Sequence, residues 1–124
     1  MRVFYLVFLI LLVASCNVNK IQEIRKEPKI DIIIPKNEEI IKNNKLVVKL
    51  NISNFKLVTP DKEPMQGQGH VQVWVDNMEF RSSKTEFVFE NESSGLHTIK
   101  AELMLSNNTV LPYSKTIKIV VNKT

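Results

Sequence analysis

His70-Val71-Gln72-Val73-Trp74-Val75-Asp76 is the stretch on which the fold turns. Val71, Val73 and Val75 stand in one phase, and His70, Gln72, Trp74 and Asp76 in the other. Successive strand side chains point to opposite faces, so this alternation marks a strand with one face buried. A helix would repeat its apolar residues every three or four positions. Valine also suits a pleated surface, because branching at Cβ restricts its side chain in a helix.

The same period appears on both sides of that stretch. In residues 45–53, Leu46, Val48, Leu50 and Ile52 share one face, and Val47, Lys49, Asn51 and Ser53 the other. Phe55 and Leu57 are expected to continue the inward face. Residues 30–35 form a β-branched run ended by Pro35, which predicts a strand near a sheet edge. Residues 36–44 read as a polar connection, and residues 59–68, with Pro60, Pro64 and Gly67, as a loop. Downstream, Asp76-Asn77 is turn-prone, although Met78 stands where a hairpin signal would place glycine. Phe87 and Phe89 point inward from residues 85–90. Ile99, Ala101, Leu103 and Leu105 share a face of residues 97–105, and Ile117, Ile119 and Val121 close the chain. Six or seven short strands with regular turns and no helix predict an all-β, antiparallel β-sandwich, with a small barrel as the alternative.

Two motifs sharpen this. Gly67-Gln68-Gly69-His70-Val71-Gln72-Val73-Trp74-Val75-Asp76 looks like the pattern Gly-x-Gly-His-x-His-x-aromatic-x-Asp at every fixed position but the second histidine, and Ser94-Gly95-Leu96-His97-Thr98-Ile99 fits Gly-x-His-Thr-Ile/Leu. In both, the chain resembles a family of small exported bacterial domains with an immunoglobulin-like fold. The resemblance covers residues 45–121 and implies an immunoglobulin-like β-sandwich of about seven strands over residues 30–124. It implies no activity, since most members have none assigned. The chain departs from the family at Gln72, where a second histidine is usual, and at Asn107-Asn108-Thr109, where Asn-Asp-His is frequent. A cluster of imidazoles would suit copper or zinc; only His70 and His97 remain here.

The N-terminus carries a different message. Arg2 precedes an apolar run over residues 3–13, followed by Val13-Ala14-Ser15-Cys16 with the sole cysteine of the chain. This order resembles the signal peptide of a bacterial lipoprotein. It implies cleavage before Cys16 and a diacylglyceryl group on its sulfur. Residues 1–15 are then the signal peptide, residues 16–29 the lipidated cysteine and a flexible tether, and the site of residence the extracytoplasmic face of a cell membrane. The apolar run falls short of the roughly 20 residues a membrane span needs and fits a signal peptide core. A plain secretory signal cut at Ser15 and a retained anchor helix are the alternatives. Two acyl chains anchor stably where one does not. A lipidated Cys16 also leaves no thiol for catalysis or a disulfide.

The chain has 17 basic and 13 acidic side chains, interspersed, for a net charge of +4. That balance reads as solubility with weak attraction to anionic lipid or wall polymer, and nucleic acid is not an expected partner.

Two readings of the His70 to Asp76 stretch stay open. With the valines inward, His70, Gln72, Trp74 and Asp76 form an exposed stripe suited to a protein or glycan contact. With the phase reversed, Trp74 is buried, as immunoglobulin-like sandwiches commonly do. His97 enters a strand just after a turn, where a ring often hydrogen-bonds the backbone as in a tyrosine corner. His70 and His97 are the candidate metal ligands, and a metal would require a carboxylate or Met65 as a further ligand. No spaced catalytic motif occurs, and Glu86 and Glu90 read as a solvated strand face. The expectation is a non-catalytic interaction or accessory module of the cell envelope, with no cofactor. Its partners would be the membrane, through Cys16, and an envelope protein or wall polymer. Copper or zinc handling through His70 and His97 is the alternative.

Overall fold

The structure, a computed structural model, describes residues 26–123. The expected signal peptide, Cys16 and most of the expected tether lie outside the described residues. Within them the chain forms β1 (Lys29–Ile34), β2 (Ile40–Ile41), β3 (Leu46–Ser53), β4 (Lys56–Leu57), β5 (Gln68–Val75), β6 (Met78–Ser82), β7 (Glu86–Phe89), β8 (Gly95–Met104) and β9 (Val110–Val121). They build an all-β sandwich. One sheet has the order β1-β3-β7; the other runs β2-β9-β8-β5-β4, with β6 also paired to β5. All the long ladders are antiparallel, while the two-residue strands β2 and β4 pair in parallel with β9 and β5.

Alternation on each strand supplies the core. Leu46, Val48 and Leu50 of β3 face Val71, Val73 and Val75 of β5, Ile99, Ala101 and Leu103 of β8, and Ile117, Ile119 and Val121 of β9. Each such valine, leucine or isoleucine, fully buried, contributes about 1.5–3 kcal/mol. Phe80 and Phe89 pack as tilted rings with centroids 4.7 Å apart where β6 and β7 flank this core.

The structure refines the strand inventory. The polar connection holds β2, whose Ile40 and Ile41 pair with Val120 and Val121. Phe55 and Leu57 do pack against the core, but Lys56 and Leu57 belong to the larger sheet, paired with Gln68 and Gly69. A two-residue turn at Asp76-Asn77 joins β5 to β6 despite the missing glycine, because Asp76 itself adopts φ 53°. Aspartate tolerates this left-handed conformation when its side chain bonds locally. Here Asp76 Oδ1 accepts the Thr98 N–H at 2.9 Å, and the Asp76 N–H donates to the Thr98 carbonyl at 2.8 Å.

Candidate contact site on the outer face of the larger sheet

With Val71, Val73 and Val75 in the core, the opposite phase of β5 lies on the outer face of the larger sheet. Register then decides what surrounds it. Trp74 stands opposite Glu79 of β6 and Lys100 of β8, and Lys100 opposite Thr116 of β9. Gln72 stands opposite Arg81 and Glu102, and His70 opposite Met104.

Trp74 is partly exposed and held in place. Its indole N–H donates to Glu102 Oε1 at 3.2 Å, and Lys100 Nζ lies 3.5 Å from Glu102 Oε2. Glu102 is nearly buried, so the indole and the ammonium satisfy a carboxylate that would otherwise lose its hydration unrewarded. Trp74, Asp76, Thr98, Lys100, Glu102 and Thr116 line a shallow depression of about 270 Å³.

The predicted four-residue stripe needs correction. His70 is fully buried and Gln72 is 4% exposed. Neither belongs to an accessible contact surface. Gln72 sits between two long side chains of β6: its amide donates to Glu79 Oε2 at 3.2 Å and accepts from Arg81 Nε at 3.2 Å. Arg81 also donates to Asn108 Oδ1 at 2.9 Å, closing the cover from the β8–β9 hairpin. His70 has no hydrogen-bond partner at either ring nitrogen among the described residues. Burial, and then the Arg81 charge, push its pKa down, so it sits there as a neutral ring. Trp74 and Asp76 remain at the surface.

His97 fits the structural corner. It lies on the inward phase with Ile99, and its Nδ1 is 2.5 Å from Asp76 Oδ2 while its Nε2 is 2.6 Å from the Ser93 carbonyl. Both neighbours are acceptors, so a doubly protonated ring satisfies both. Burial alone would lower its pKa. The Ser93 carbonyl, the Asp76 carboxylate and the Glu92 carboxylate at 3.8 Å outweigh burial and raise it.

The same geometry corrects the pairing of His70 with His97 around a metal. His70 is level with Met104 and on the outward phase; His97 lies seven residues along β8 and on the inward phase. At about 3.3 Å per residue that separates them by roughly 23 Å along the strand. Two ligands of one zinc must both reach it at about 2.0–2.1 Å. Among the described residues no three histidine, cysteine or acidic side chains gather around a point where a metal would sit.

A larger cleft, about 830 Å³, opens at the end of the sandwich where the chain enters at Lys26 and Pro28, with Phe55, Leu105, Leu111 and Tyr113 on its walls. Asn54 on its wall donates to the Glu27 carbonyl at 3.1 Å. The Trp74 depression brings polar groups together. Sequence reading found Trp74 and Asp76 but missed Thr98, Lys100, Glu102 and Thr116. Their signal was present as the outward phase of two neighbouring strands, yet only the register of β5 on β8 and β8 on β9 sets them beside the indole.

No family model matches the chain, and no curated protein does. Solved structures do resemble it. One is a set of fibronectin(III)-like modules of Clostridium thermocellum CbhA: 12% identity over 77% of this chain and 97% of that one, with a TM-score of 0.56. Another is an engineered protein: 11% identity over 79% of this chain and 21% of that longer one, with a TM-score of 0.54. A looser likeness, TM-score 0.47 at 14% identity, is to a CARDB domain from Pyrococcus furiosus, over 83% of this chain and 100% of that one. At these identities the likeness concerns the fold, a fibronectin III-like or immunoglobulin-like sandwich.

Proposed function

We propose that this chain is a lipid-anchored, non-catalytic contact module of the bacterial cell envelope. Its working surface is the outer face of the larger sheet around Trp74. One observation carries the reading: a partly exposed indole, locked by Glu102 and Lys100, lies within a set of polar side chains that share one depression. Aromatic side chains fixed before binding lose little entropy on contact. The fold agrees, since a short sandwich of this kind offers sheet faces and loops as contact surfaces. The lipid on Cys16 would hold this surface on the extracytoplasmic side of the membrane, opposite an envelope protein or wall polymer.

Anchoring has a direct test. Cys16→Ser is expected to abolish metabolic palmitate labelling and move the protein from the membrane fraction to the medium or periplasm. Unchanged labelling would refute the lipid anchor. The contact face is tested with a photo-crosslinking side chain installed at Thr116 in the full-length protein in its host cell. The control position is Asn51, an exposed residue of β3 in the smaller sheet. A covalent adduct at position 116, absent at 51 and lost with Trp74→Ala, is expected. No adduct at 116, or equal adducts at both positions, would overturn the assignment of this face.

A further inference from the structure

We infer that the Trp74 depression is a saccharide subsite and that its ligand is a neutral glycan. This rests on the contact-module reading and names the ligand class of the same site.

A pyranose ring has two kinds of surface. One face presents C–H groups, and the rim presents hydroxyls that both donate and accept hydrogen bonds. Trp74, partly exposed, supplies indole carbon surface for the first. The Asp76 carboxylate, the hydroxyls of Thr98 and Thr116 and the Lys100 ammonium supply acceptors and donors for the second, while Glu102, nearly buried, holds the indole and Lys100 in place. Charged groups make the stronger of such hydrogen bonds. The indole N–H bound to Glu102, and Glu102 bound to Lys100, lose their freedom at folding rather than at binding.

Charge favours a neutral glycan over an anionic polymer. Asp76, Glu79 and Glu102 on this face are matched by Arg81, Lys100 and Lys118, so the face has no excess of either sign. The surroundings also disfavour a protein as the occupant. A protein interface centres on apolar residues, and here Trp74 is ringed by polar ones. The exposed apolar side chains of the face, Ile40, Val120 and Leu96, stand in a separate cross-strand row, because Ile40 and Leu96 both pair with Val120. That row begins four residues before Lys100, roughly 13 Å along β8.

Trp74 is the sole tryptophan of the chain, so its emission reports this site alone. The purified full-length lipoprotein, in a detergent without a sugar headgroup, would be titrated with chitohexaose, cellohexaose, xylohexaose and mannohexaose, and separately with polygalacturonate. A saturable change in emission with at least one neutral hexasaccharide is expected. Affinity is expected to fall roughly tenfold or more in Lys100→Ala, and by calorimetry in Trp74→Phe. No saturable change with any of the four, binding to polygalacturonate alone, or binding indifferent to Lys100→Ala would each overturn the inference. A Trp74-dependent crosslink at position 116 to a protein, without sugar binding, would sink the saccharide and leave the contact module standing. No crosslink and no sugar binding would sink both.

Discussion

Gly69→Ala is expected to cost about 3 kcal/mol or more and, in a domain of this size, to leave much of the protein unfolded. A Cβ at Gly69 would lie 1.9 Å from the Met104 carbonyl oxygen and 2.9 Å from Phe55 Cζ. The first contact is with backbone, so no rotamer change relieves it. Relief requires β5 and β8 to part at their end, which breaks the His70–Met104 pair and exposes the buried Met104. Gly67→Ala is the control. Its Cβ meets nothing within 4 Å, and only the φ of +79° penalises it, at about 1 kcal/mol. Urea midpoints for the two variants decide the matter: a Gly69→Ala loss no larger than that of Gly67→Ala would refute the close approach of Met104 to β5.

His97→Gln is expected to cost about 2–3 kcal/mol, because the ring joins the β5–β6 turn to the β7–β8 turn and two carboxylates depend on it. Its side chain is 7% exposed, and without its charge Glu92, 10% exposed, keeps a carboxylate with no imidazolium beside it. Asp76 is 45% exposed and suffers less, since water screens it. The effect should depend on pH. A pKa raised in the folded state means that the native protein holds a proton the unfolded chain gives up. The stabilisation is therefore full below the unfolded value, near 6.5, and is lost as pH rises through the folded value. His70 acts with the opposite sign. Its lowered pKa means that stability is full above about 6.5 and is lost as pH falls toward the folded value. The wild-type urea midpoint should thus decline on both sides. In His97→Gln the alkaline limb should vanish and the acid limb persist. An unchanged alkaline limb would show that the His97 ring is not doubly protonated between Asp76 and Ser93.

Much of the sandwich was legible because period two is a local property of extended backbone. Leu46, Val48 and Leu50, and Ile99, Ala101 and Leu103, all point where their alternation placed them, whereas for β5 the alternation left two phases open and the fold puts the valines inward. The short strands were not legible. Ile40 and Ile41 become a strand only because β9 passes beside them, and two residues carry no period of their own. The β6 hairpin was hidden by Met78, since the left-handed turn residue here is Asp76, stabilised by bonds to Thr98 that sequence order does not reveal.

The site divided in the same way. That His70, Gln72, Trp74 and Asp76 share one face follows from the sequence by itself, and so does the entry of His97 at a strand corner. Which of these residues meets solvent is a question about neighbours in space. Arg81 and Glu79 reach Gln72 across β5–β6 pairing, Met104 stands opposite His70, and Glu102 and Lys100 frame Trp74 across β5–β8 pairing. The separation of the two histidines is also set by strand register. The sequence by itself determined the alternation, and with it the faces and the core. Tertiary structure alone decided coverage and convergence, because cross-strand register joins residues whose spacing along the chain holds no trace of their meeting.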